Sequence, residues 1–344
     1  MRGNTNYLTS IRGFACLIVI IAHVLSTVPY IGKNVAGCGK IGVWLFFILS
    51  AFLLTIQWLD KKEIKKGDVI KFYIKRFFRI FPCYITVLIA VYFIKYIPNI
   101  ETLIKHIFLL EGMGHFWTIP VEFMFYLIIP LIIYIMFKIK NKKLSTAFLI
   151  LLLIITELIS PYTKSIGNSI NLRWYLPVFI MGILTAIIFK KNEQKELKPK
   201  IIYDIVVLIV LIMMLISVPY VRNIIFRIPP DDYLGNKYLY FGLGWSIIIL
   251  AIQNSKYIIN ILNKSKVLIY VGKISFPLYL VHFIVLSKIS SDTNIIVKFI
   301  IIFLVSFIIS IIMNKLIEQP MIKLSKKINS RIERKEKQWE ILKK

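Results

Sequence analysis

The sequence predicts an all-α integral membrane protein of about ten transmembrane helices, with both termini in the cytoplasm. Three observations carry this expectation. Of the 344 residues 58% are hydrophobic, with a mean hydropathy of +0.75, well beyond a soluble domain. The apolar residues gather into runs close to the 20 or so that one helical crossing needs. The charges, 44 Lys and Arg against 17 Asp and Glu, fall in clusters between those runs. Such clusters mark orientation and contact with anionic membrane lipids, so the net charge of +27 is not read as nucleic-acid binding.

The runs cover 8–29, 41–59, 77–97, 117–137, 145–160, 172–189, 201–221, 238–253, 267–286 and 294–314. The first has no small-residue cleavage site and is longer than a signal core, so it reads as a retained span. The fifth and eighth are short. The segment "ETLIKHIFLLE", residues 101–111, cannot cross and reads as an interfacial or re-entrant helix. Loops 60–76, 138–144, 190–200, 254–266 and 315–344 hold 29 Lys and Arg, and the alternating set holds 9. The richer set belongs in the cytoplasm, which ten crossings satisfy and nine would not. Residues 1–322 then form one transmembrane domain. Residues 323–344 form a basic cytoplasmic tail, a solvated or lipid-surface helix too short to bury a core. Cys16, Cys38 and Cys83 have no metal-ligand spacing, so neither a disulfide framework nor a metal is expected.

Several runs carry polar residues that hydrocarbon penalises, and such residues are functional candidates by default. In "SIRGFACLIVIIAH", Arg12, Cys16, Val19 and His23 share a helix face with Ser26. His23 lies roughly 16 Å beyond Arg12 at 1.5 Å per residue. In "FWTIPVEFMFY", Thr118, Glu122 and Tyr126 share a face, and Glu122 falls at the depth of His23. A carboxylate reaching that imidazole would orient it and raise its basicity, as a general base requires. In "ISFPLYLVH", Ser275, Tyr279 and His282 align, with His282 in the outer third. In "YIKRFFRIFP", Lys75, Arg76 and Arg79 stand at the cytoplasmic mouth, where forked guanidinium groups suit phosphate. Each has a plainer reading: orientation anchors for Arg76 and Arg79, snorkelling for Arg12, helix–helix glue for Ser275 and Tyr279, packing for His282 and Cys16. His115 and Trp117 read as an aromatic belt at the outer interface.

Taken in order, "SIRGFACLIVIIAH", "GVWLFFILSAFLLT", "YIKRFFRIFPCY", "FWTIPVEFMFYLIIPL", "RWYLPVFIMGIL", "ISFPLYLVHF" and "IEQP" resemble the blocks of the acyltransferase family 3 membrane proteins, which include O-antigen and exopolysaccharide O-acetyltransferases. The resemblance implies transfer of an acyl group, usually acetyl, from cytoplasmic acetyl-CoA as co-substrate to a hydroxyl of a glycan or lipid-linked sugar, without a metal. It also implies proteins of polysaccharide biosynthesis as partners. It makes His23 the catalytic residue, as base or as acyl carrier, with Glu122 as the acid of the fourth-span block. Arg76 and Arg79 become the pair attributed to the CoA phosphates, joined by Arg12 and Lys75 on the donor side. Ser50, Thr118, Tyr126, Ser275, Tyr279 and His282 are the candidate cavity lining. Two departures concern the second span: Trp44 stands where relatives often have Asp, and Ala51 where Gly usually follows the serine matching Ser50. Many relatives carry a fused esterase-like domain outside the membrane. This sequence has none, so the expectation is that transfer ends in the membrane domain or on a partner. A polysaccharide or lipid transporter, or a proton-coupled exporter, is the alternative, since intramembrane His, Glu and Arg also build proton relays. The sequence lacks the inverted repeats that would favour it. A third reading is an inactive subunit of a polysaccharide assembly complex, but a retired site would not keep charged groups in lipid.

Overall fold

Helix α3 (Gly39–Leu59) is apolar on every side, and a helix of that kind belongs in an interior. In the computed structural model it is packed between α1 (Asn6–Leu25), α8 (Leu176–Gln194) and α11 (Tyr238–Ile252). The structure describes residues 5–29, 31–35, 37–61, 63–139, 141–159, 168–195, 198–229 and 237–342. Among these, an isolated bridge between Lys200 and Ser255 is the sole β pairing. The remaining helices are the single turn α2 (Gly32–Val35), α4 (Lys66–Phe93), α5 (Ile100–Ile107), α6 (Thr118–Lys138), α7 (Lys142–Leu158), α9 (Ile201–Ile216), α10 (Pro219–Phe226), α12 (Ile258–Lys264), α13 (Lys266–Lys273), α14 (Ser275–Ser287), α15 (Ile295–Met313) and α16 (Gln319–Leu342).

Five described helical segments are long and apolar enough to cross a membrane: Asn6–Leu25, Gly39–Leu59, Lys66–Phe93, Gly114–Lys138 and Ile295–Glu336. The number is seven if two bent pairs each count as one span. Length and composition therefore support fewer than the ten expected. Helices α7 and α11 have 17 and 15 residues, and α8 ends in Lys190, Lys191 and Glu193.

The two bent pairs correct the seventh and ninth runs, which are not straight helices. Between α9 and α10 the axis turns by 82°. Pro219 opens α10, and its ring holds Val218 in extended backbone, with ψ 130°. Between α13 and α14 it turns by 80° at Ile274. Pro277 then falls in the first turn of α14, where its missing N–H leaves no helical bond unmade. The bend lets α13 lie tightly across α1. Gly13 and Gly272 allow this contact, because a methyl group on either would overlap backbone oxygens of Leu268 and Thr9.

The tail also differs from a free surface helix. A π turn, Asn314–Glu318, carries α15 into α16, which runs on to Leu342 and packs against α4. There Lys71 pairs with Glu336 at 3.0 Å and Asn329 Nδ2 donates to Lys71 O at 3.2 Å. Ser325 and Asn329 are buried.

Candidate active site

Three cavities lie in series along α1: the first between α1, α4, α13, α15 and α16, the second between α1, α3, α4, α6 and α14, and the third beside the ends of α1, α3 and α14. The first, about 360 Å³, lies at the Arg12 end. The second, about 160 Å³, is at the centre, and the third, about 290 Å³, opens beside His23. Neighbouring cavities share walls. Arg12 and Arg79 face both the first and second, and Val43 and Tyr279 face both the second and third.

Nine of the twelve residues singled out from the sequence line the second cavity: Arg12, Ser50, Arg76, Arg79, Thr118, Glu122, Tyr126, Ser275 and Tyr279. Their helical spacings explain the convergence. Glu122 and Tyr126 lie one turn apart on α6, and both meet Ser50 on α3. Ser50 Oγ donates to Glu122 Oε1 at 2.8 Å, and Tyr126 OH donates to the same oxygen. Thr118 donates to Tyr279 OH at 3.0 Å, and Tyr279 donates to His115 O at 2.7 Å. Arg12 Nη2 donates to Ser275 Oγ at 3.4 Å. The Arg76 guanidinium lies over Phe72 and Tyr126, 5.9 and 5.8 Å from their ring centres. Its buried Nε has no hydrogen-bond partner. Among the described residues no carboxylate lies within ion-pair distance of Arg12, Arg76 or Arg79. This end of the site therefore carries a surplus of positive charge in buried surroundings, which favours an anionic ligand.

The other end is built differently. His23 Nδ1 lies 2.9 Å from His282 Nε2. His282 is 1% exposed, and its Nδ1 faces the carbonyl oxygens of Tyr279 at 2.7 Å and Leu278 at 3.2 Å. Carbonyls only accept, so in the neutral ring the His282 proton is on Nδ1 and its Nε2 is an acceptor. His23 must then donate from Nδ1, which leaves a lone pair on His23 Nε2 beside Gly39 in the third cavity. An imidazole with one nitrogen fixed as donor and the other bare is set up to take a proton or attack a carbonyl.

This arrangement corrects the expected pairing of His23 with Glu122. Glu122 lines the second cavity and His23 the third; Glu122 is held by Ser50 and Tyr126, and His282 orients the imidazole. Lys75 is exposed on α4 and does not line the second cavity with Arg76 and Arg79; at 100° per residue its side chain leaves that face. Cys16 is fully buried, with Sγ donating to Ser275 O at 3.7 Å, so it packs. All three cysteines are free and buried. His115 was missed. It is 3% exposed, donates from Nε2 to Leu280 O at 2.8 Å, and lines the third cavity. Its place three residues before Thr118, on the Thr118–Glu122 face, was the available signal.

The family acyltransferase domain matches residues 5–315. The chain belongs to acyltransferase family 3. Its relatives include a protein of Acidianus two-tailed virus provisionally named an acetyltransferase, 27% identical over 300 residues, which cover 80% of this chain and 81% of the relative. A protein of Staphylococcus aureus strain COL, provisionally named an O-acetyltransferase, is 25% identical over 322 residues. The O-acetyltransferase OatA of strain NCTC 8325 is 23% identical over 322 residues. This chain spans about half the length of the staphylococcal relatives, 51% in each case. No solved structure matches. The acyltransferase is thus an all-helical protein with several helices of membrane-crossing length. The family departures lie away from the cavities: the Trp44 ring packs on Phe241 at 5.5 Å, and Ala51 sits against Gly182.

Proposed function

We propose that this acyltransferase moves an acetyl group from acetyl-CoA, bound on the cytoplasmic side, to a hydroxyl of a cell-surface glycan or lipid-linked saccharide. It would do so within ten crossings of the cell membrane, with both termini inside. The observation that carries the reading is the series of cavities with arginines at one end and the bare Nε2 of His23 at the other. The alternation of basic loops supports the orientation, and the names of the relatives support acetyl and a hydroxyl acceptor.

In this reading the arginines take the phosphates of the donor, and its uncharged pantetheine arm passes the second cavity towards His23. His23 Nε2 takes the proton of the acceptor hydroxyl as its oxygen attacks the thioester carbonyl. The carbon–sulfur bond breaks, and the departing thiolate receives that proton. Throughout, His282 keeps the His23 Nδ1 proton in place. Glu122, fixed by Ser50 and Tyr126, positions the donor-side wall and offsets part of its charge.

Comparing the mass spectra of surface glycans from cells with and without the gene tests the reaction. Loss of acetyl-bearing species is expected, whereas a transporter would leave its cargo covalently unchanged. His23→Ala, produced at normal levels, is expected to abolish transfer, since general-base catalysis contributes about 10²- to 10⁴-fold. Retained acetylation in that variant overturns the role of His23.

A further inference from the structure

The third cavity, where His23 would meet its acceptor, has a lining of one sign. Lys40 contributes an ammonium, and among the described residues no carboxylate lines the hollow. Most of its other polar side chains are engaged with the protein. Ser26 Oγ donates to His23 O at 2.7 Å, Tyr279 OH to His115 O at 2.7 Å, and His115 Nε2 to Leu280 O at 2.8 Å. Two groups of the lining can act strongly on a ligand: the bare Nε2 of His23 and the ammonium of Lys40. With three donors, an ammonium can serve the protein and a ligand at once.

Lys40 stands where helix electrostatics does not favour a cation. It is the second residue of the 21-residue α3, whose N-cap, Cys38, makes no side-chain capping bond. The first turn of a helix carries partial positive charge, which welcomes an anion and opposes a lysine. Gly37, Gly39, Lys40 and Val43 all line the cavity, so the positive end of α3 and the half-buried Lys40 act on the same hollow. An anion placed there would satisfy both. The adjoining residue faces the catalytic nitrogen: a methyl group on Gly39 would stand 3.4 Å from His23 Nε2. Phe283, with its ring centre 5.0 Å from that of His23, adds an apolar wall. At about 290 Å³ the cavity is near the lower end of small-molecule pockets, so a hydroxyl on His23 and an anion at Lys40 would belong to one sugar or to adjoining units.

We infer that the acceptor is an anionic saccharide, with Lys40 and the N-terminus of α3 holding its phosphate or carboxylate while the hydroxyl to be acylated lies on His23 Nε2. This rests on His23 working on a saccharide hydroxyl. Lys40 is then a specificity-determining residue and carries no proton in the reaction.

The test compares cells that carry the gene, lack it, or produce Lys40→Gln or Lys40→Arg at equal levels, by fragmentation mass spectrometry of their surface glycans and lipid-linked saccharides. The acetylated sugar is expected to bear a phosphate or a carboxylate on itself or on the adjoining unit, and the fragments distinguish the two. Lys40→Gln should lower its acetylation about tenfold or more, as loss of a charge-assisted contact implies. Lys40→Arg, which keeps the charge, should restore most of it. In lipid nanodiscs Lys40→Gln should bind acetyl-CoA as the wild type does, which shows that the variant is folded and its donor end intact. An acetyl group on a sugar with no anion on or beside it, wild-type acetylation in Lys40→Gln, or acetyl-CoA binding lost in that variant overturns the inference and leaves the transfer reaction standing. Glycans with the same acetyl content with and without the gene overturn the reaction, and the inference with it.

Discussion

His282→Phe asks where the imidazole of His23, the proposed catalytic base, gets its orientation. Phenylalanine keeps a flat ring, somewhat larger than imidazole, in a site only 1% exposed, but it removes the nitrogen that accepts from His23 Nδ1 at 2.9 Å. The His23 donor is then stranded, and the proton can move to Nε2, the atom that must stay bare. Leaving a buried donor unpaired costs about 1–3 kcal/mol. At about 1.36 kcal/mol per decade of rate, kcat should fall by about 5- to 150-fold. The assay is initial-rate acetyl transfer in nanodiscs, with kcat and donor KM fitted separately and folding checked by thermal melts. Donor KM should hold, because the arginine end is untouched. His282→Gln, which returns an acceptor oxygen, should recover most of the loss. Glu122→Gln is the discriminating control. Glu122 bonds Ser50 and Tyr126 and not His23, so its effect should fall on donor KM. Wild-type kcat in His282→Phe, or a Glu122→Gln variant that loses kcat at constant KM, would refute the orientation by His282.

Arg76→Lys keeps the charge but loses the planar group between Phe72 and Tyr126. A cation–π contribution of about 1–2 kcal/mol predicts a donor KM raised about 5- to 30-fold, and unchanged donor kinetics would count against a binding role for Arg76. Gly272→Ala puts a methyl group onto the backbone oxygen of Thr9, which no side-chain rotation relieves. It should destabilise the protein by about 1–3 kcal/mol, read as a lower melting temperature in detergent, and an unshifted melt would show that α13 and α1 can separate at no cost.

The helical period made single faces legible. Arg12 with His23, Thr118 with Glu122 and Tyr126, and Ser275 with Tyr279 could be grouped because spacing within one helix fixes which side chains align. The same rule could not say which face meets which. His23 and Glu122 were matched by depth, but depth on two helices leaves rotation about each axis free, and packing turned His23 towards α14. Lys75 and Arg76 are neighbours in sequence and part company in space for the same reason that spacing by four brings residues together. The bend at Ile274 was written only weakly, as Pro277 and Gly272. Its consequence, Lys273 at the lip of a cavity shared with α15 and α16, depends on contacts between segments about 40 residues apart in sequence, and no local pattern encodes it.

In the proposed reaction, the two walls that the donor's arm must pass would give transfer a direction. Arg12 and Arg79 stand in the wall shared by the first and second cavities, and Val43 and Tyr279 in the wall shared by the second and third. A phosphate group gains charge-assisted bonds at the first wall. At the second it would have to shed its water for an aliphatic side chain and one hydroxyl, at a cost of several kcal/mol or more for an unpaired charge. An acetylated pantetheine arm is uncharged and pays far less to pass. In the proposed reaction the nucleotide is therefore held on the side from which it came, while the thioester at the tip of its arm reaches His23. The acceptor hydroxyl meets it from the opposite cavity, so donor and acceptor stay on separate sides without a moving gate.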